Sequence, residues 1–118
     1  MSSRLPDEFK ARVVEMILRG RAEEAIAAVC EALGKTPPKI KVGRVKGHSR
    51  ALATYVPSKN TIYVSDGELM KNPFIILHEL YHHIRMFSGR HRGTEKHADR
   101  FARSFLEAYK RAKCQSDS

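Results

Sequence analysis

The chain has 118 residues, 42% of them apolar and 30% charged, with two cysteines and a formal charge of +9. This suffices for one domain, residues 1–118, with a modest core, and excludes a disordered or disulfide-built chain. No apolar run approaches the roughly 20 residues of a membrane span, and the first residues, with Pro6, Asp7 and Glu8, form no apolar signal region, so a cytoplasmic location is expected.

The chain opens on two helix patterns. Pro6 to Arg19 carries Phe9, Val13, Met16 and Ile17 at helical spacing and stops at Gly20. Arg21 to Leu33 is alanine-rich and closed by Gly34. Cys30 sits among Ala28, Val29 and Leu33, which predicts a buried free thiol. Thr36-Pro37-Pro38 breaks the pattern. Lys39 to Val45 then alternates, with Ile40, Val42 and Val45 as inward positions and a bulge at Gly43. His48 falls in a turn. Ala51 to Val56 and Thr61 to Val64 are β-rich and flank Pro57-Ser58-Lys59-Asn60, a hairpin signal. Glu68-Leu69-Met70 makes one helical turn. Asn72-Pro73 then starts a third helix, with Asn as N-cap and Pro at the first position, running to Ser88-Gly89.

Within that helix lies His78-Glu79-Leu80-Tyr81-His82, an H-E-x-x-H sequence. Residues four apart share a helix face, so two imidazoles can meet one metal ion. Glu79, about 100° around the helix, lies beside that face and suits a carboxylate that takes a proton from water at the metal. Zinc is the expected ion. His83 points away from His82 and reads as a solvated or supporting neighbour.

A fourth helix runs from Thr94 to about Ala112. Glu95 and Asp99 share a face with Ala98 and Ala102, and small alanines permit close helix approach. A carboxylate from this helix can then reach a metal held by the third. Asp99 is spaced to accept a hydrogen bond from the far nitrogen of a ligand histidine. Without the H-E-x-x-H, the two acids would read as an ordinary acidic first turn.

These elements make an α+β domain: two helices, a small three-stranded sheet, then two helices bearing the site. The H-E-x-x-H, followed by Glu95, Ala98, Asp99 and Ala102 in the order E-x-x-A-D-x-x-A, resembles the gluzincin metallopeptidases. It is closest to the catalytic domains of membrane proteases of the HtpX and CAAX-protease type, and the short chain resembles the minigluzincins, minimal soluble relatives of them. The resemblance implies zinc held by His78, His82 and Glu95, with Glu79 as general base and Asp99 supporting a ligand. It also implies that an edge strand, Thr61–Val64 or Ala51–Val56, binds a peptide or protein substrate in extended form. His97 or His91 remains a rival for Glu95. Tyr81, Tyr109, His91 and His97 are candidates to stabilise an oxyanion.

The expected activity is therefore zinc-dependent peptide hydrolysis. The alternatives are a DNA-associated SprT-like metalloprotease and a non-catalytic zinc-binding regulatory module. The +9 charge invites nucleic acid, but basic residues such as Arg100, Arg103, Lys110, Arg111 and Lys113 lie at solvent-face spacing, so a solvated basic surface is preferred. Residues 113–118 read as a polar tail that can restrain activity, sterically or through the Cys114 thiolate.

Overall fold

The computed structural model describes residues 5–43, 52–85 and 94–116. Among them are four α-helices, α1 (Asp7–Leu18), α2 (Ala22–Leu33), α3 (Pro73–Arg85) and α4 (Thr94–Ser116), and three strands, β1 (Lys39–Val42), β2 (Ala53–Val56) and β3 (Thr61–Val64). The architecture is the expected α+β arrangement.

Local chemistry sets most boundaries. Gly20 and Gly34 take φ of 85° and 71°. Each closes its helix with the paired bonds of a left-handed C-terminal cap: Arg21 N to Met16 O at 2.8 Å after α1, and Lys35 N to Cys30 O at 2.8 Å after α2. A β-carbon at either position would meet the strain of a left-handed backbone. Asn72 caps α3 by accepting from Ile75 N at 3.2 Å, with Pro73 as the first helical residue. The predicted end at Ser88-Gly89 lies outside the described residues. Glu68 falls in a short 3-10 helix, Gly67–Lys71, whose first amides donate to the Asp66 carboxylate.

The sheet order is β1-β3-β2. β3 runs parallel to β1, with Ile40 beside Ile62, and antiparallel to β2, with Tyr55 opposite Ile62. Pro57–Lys59 forms a 3-10 turn between β2 and β3, and Asn60, at φ 50°, finishes it. Three expectations need correction. Thr61–Val64 is the central strand of the described sheet, so it is not an edge; β1 and β2 are the outer strands. β1 ends at Val42, which is 54% exposed rather than inward, because only Ile40 faces the helices. Gly43 N donates to Val64 O at 2.8 Å, which prolongs the ladder instead of bulging it. Val45 and His48 lie outside the described residues.

The core gathers Val13, Val14 and Ile17 of α1, Ile26 and Val29 of α2, Ile62 and Val64 of β3, Ile76, Leu77 and Leu80 of α3, and Ala102 and Phe105 of α4. Burial pushes the Cys30 thiol up to about 11, so it stays protonated and inert, as expected of a buried free cysteine. α4 packs on both α1 and α3. Its buried stripe, Ala98, Ala102, Phe105 and Ala108, has the 3.6-residue period, and the alanines keep the helix axes close. Polar contacts brace the α1–α4 contact: Arg111 donates to Asp7 at 2.9 Å, and Tyr109 donates to Glu15 at 3.0 Å.

α4 continues through Ser116, beyond the expected end near Ala112, so Lys113 and Cys114 are helical rather than tail residues. None of the described helices is long and apolar enough to cross a membrane.

Overpacking the alanine stripe should separate α4 from its neighbours. Ala102→Leu is expected to cost about 1–3 kcal/mol, and the exposed control Arg103→Ala less than about 0.5 kcal/mol. Denaturant midpoints measure both; equal stability of Ala102→Leu and wild type would contradict the close packing.

Candidate metal centre

The buried stripe of α3 turns His78 and His82 toward the first turn of α4. Ile76, Leu77 and Leu80 are fully buried. The two histidines sit at the edge of that stripe, their rings 5.0 Å apart between centroids. The close approach of α4 brings Glu95 to them. One Glu95 oxygen lies 3.1 Å from His78 Nε2 and the other 3.0 Å from His82 Nε2. In a tetrahedral zinc site with metal–ligand bonds of about 2.0–2.1 Å, ligand atoms are separated by about 3.3 Å. The two imidazoles and Glu95 therefore stand at nearly the spacing that one metal ion requires.

A second grouping is also close. One ligand atom each from His78, Glu79 and His82 falls within 4.8 Å of the others. Glu79, however, faces the other side of the His78 ring, with Oε2 3.4 Å from Nδ1. The Nε2 atoms of both histidines converge on Glu95, so Glu95 is the better-placed candidate for a third ligand and Glu79 stands beside the group. His97, its rival, is exposed on α4, and no contact joins it to the group among the described residues; His91 lies outside them.

Asp99 differs in detail from its expected role. Its Oδ1 lies 3.2 Å from His78 Nε2, the nitrogen that also faces Glu95. One helical turn separates the two acids, and both lean on the same ring atom. Asp99 thus adds a second anionic oxygen at the point of convergence rather than accepting from the far nitrogen.

Glu79 is largely enclosed, its side chain 14% exposed. Burial pushes its carboxyl above the ordinary range, while His78 and the main-chain amide of Tyr55 pull in the opposite direction. Desolvation wins, and a carboxylate raised in this way is a better proton acceptor. The Tyr55 contact follows from strand geometry. Leu52 O accepts from Ser65 N at 2.9 Å, so the alternation of an antiparallel ladder turns the main-chain groups of Ala53 and Tyr55 outward. The outer side of β2 in the described sheet therefore runs past Glu79.

His83, expected as a solvated or supporting neighbour, is buried. Its Nε2 lies 2.6 Å from the Thr36 carbonyl, and its Nδ1 lies 2.8 Å from the Tyr55 hydroxyl. A carbonyl only accepts, so Nε2 carries the proton and Nδ1 accepts from Tyr55. One neutral imidazole thereby ties α3 to β2 and to the segment after α2. Sequence reasoning missed this role, although the signal was present: Ile76, Leu80 and His83 stand at i, i+4 and i+7, on the buried stripe.

Two oxyanion candidates are placed elsewhere. Tyr109 donates to Glu15 and lies roughly 21 Å along α4 from Glu95, at ~1.5 Å per residue. Tyr81 packs against Phe101, ring centroids 5.3 Å apart. Cys114 is exposed on α4, roughly 28 Å along the helix from Glu95 by the same rise. Its thiol therefore does not reach the histidines of its own chain.

Comparison with known protein families, curated proteins and solved structures finds no match for the chain. The case for function rests on the geometry.

Desolvation holds the His83 pKa below its ordinary value of 6.5, against the Thr36 carbonyl, which raises it. A depressed histidine pKa contributes stability that is complete above 6.5 and is lost as pH falls through the lower folded value. In metal-free protein, the stability advantage of wild type over His83→Gln should shrink between about pH 7.5 and about pH 5.5. Denaturant melts at the two pH values measure it; an advantage independent of pH would contradict a neutral, buried His83.

Proposed function

We propose that the chain is a zinc-dependent metallopeptidase that hydrolyses peptide bonds. The observation that carries this reading is the Glu95 carboxylate, whose two oxygens face Nε2 of His78 and of His82 across two helices. Two neutral imidazoles and one carboxylate form a donor set suited to catalytic zinc, with room for a further ligand. Bound there, zinc supplies Lewis acidity, which lowers the pKa of water and polarises a carbonyl.

The protein's own groups do the rest. Glu79 accepts a proton from the attacking water and returns it to the departing amine. Its enclosure and raised pKa support both steps, because a carboxyl poised nearer neutrality exchanges protons more readily. Asp99 adds negative charge beside His78 and favours a cation at that point. A peptide in extended form pairs with the outward main-chain groups of β2 that Glu79 does not engage, those of Ala53 and the Tyr55 carbonyl, where hydrogen bonds give affinity without demanding a side-chain sequence. The tie between the Tyr55 amide and Glu79 sets the base beside that strand, so a peptide bond lying along β2 passes next to the carboxylate.

Purified protein should bind one zinc per chain, measured by equilibrium dialysis with metal analysis. His82→Ala and Glu95→Gln should each weaken that binding, and full zinc occupancy of His82→Ala would sink the ligand assignment.

Glu79→Gln should keep zinc and fold while losing peptidase activity on an unfolded substrate such as casein by roughly 100-fold or more. Unchanged proteolysis by that variant would remove Glu79 from the chemistry.

A further inference from the structure

A cavity of about 410 Å³ is lined by none of His78, His82, Glu95 and Glu79. It opens between α1, α3 and α4 and is within the range of small-molecule sites. Its apolar wall includes Leu33, Tyr81, Ile84, Phe101 and Phe105. Of these, Leu33, Ile84 and Phe101 are only partly covered by the core they pack against. Among the described residues its charged lining is of one sign: Lys10, Lys35 and Arg85, with no Asp or Glu.

Lys10 gives the cavity its direction. Its ammonium lies 3.3 Å from Ser104 Oγ and 5.6 Å above the Phe105 ring centre. Both partners line the same cavity, so the charge is held at its wall. The Ser104 hydroxyl spends its own proton on the Phe101 carbonyl at 2.8 Å and therefore meets Lys10 as an acceptor. Among the described residues the partners of Lys10 are a hydroxyl and a ring, both neutral. A part-buried ammonium with neutral partners gains most from an anion, and the aromatic and aliphatic wall gains from covering by an apolar body.

We propose that this cavity binds a small apolar carboxylate of the medium-chain fatty-acid class. The carboxylate pairs with Lys10, and the hydrocarbon chain lies along Phe101, Tyr81 and Ile84. The charge complementarity selects an acid over a neutral alcohol of the same length. This inference is independent of the proposed peptidase activity, because the cavity shares no side chain with the zinc ligands or Glu79.

The test is a calorimetric titration of the full chain with decanoate below its micelle concentration, run with and without zinc. The expected result is saturable binding of one decanoate per chain in both states. Lys10→Met should weaken it about tenfold, Lys10→Arg should restore most of it, and Ser104→Phe should block it by filling the space. Decanol should bind at least about tenfold more weakly than decanoate. Absence of saturable binding to folded wild type would overturn the proposal. So would equal affinity for decanol, or decanoate affinity unchanged in both Lys10→Met and Ser104→Phe.

Discussion

The meeting of Glu95 with His78 and His82 is the constraint on which the site depends. Those residues stand on two helices separated in the chain, and their polar atoms approach to about van der Waals limits only because Ala98 and Ala102 let α4 settle on the core. A longer side chain at either alanine would lift the carboxylate away from both imidazoles together. The packing of α4 against α1, with Phe105 fully buried and Asp7 joined to Arg111, therefore acts on the meeting of Glu95 with the two histidines through helix position rather than through contact.

A second constraint fixes the strand beside it. β2 is anchored twice: its ladder pairs with β3, and its Tyr55 hydroxyl reaches the buried His83, the residue next to His82. The same residue offers its main-chain amide to Glu79. Thus α3 carries the histidine pair, Glu79 and the anchor of β2 within six consecutive residues, His78 to His83. Burying an imidazole is costly unless both nitrogens are satisfied. Thr36 and Tyr55 satisfy them, which explains why a histidine is tolerated in the core stripe.

Much of this was legible in the residues. Helix starts and stops were readable because Gly20, Gly34, Asn72 and Pro73 act locally, through backbone conformation and capping. The histidine pair was readable because i, i+4 spacing determines a shared face. Whether Glu95, His91 or His97 completes the group was not readable, since it depends on the distance and rotation between two helices. Strand order escaped for a similar reason. Val42 keeps the alternation with Ile40, yet β1 is an outer strand that the helices cover only at Ile40. The helical state of Lys113 and Cys114 was obscured by their polarity, which is ordinary for a solvent-facing helix end.

The central claim is that His78, His82 and Glu95 form one metal site. X-ray absorption at the zinc edge of the zinc-loaded protein, paired with the Glu95→Gln variant, tests it most directly. The account predicts two imidazole nitrogens and at least one carboxylate oxygen at about 2.0–2.2 Å in wild type, with the carboxylate contribution lost or altered in Glu95→Gln. A spectrum with three imidazole nitrogens, unchanged by Glu95→Gln, would contradict it.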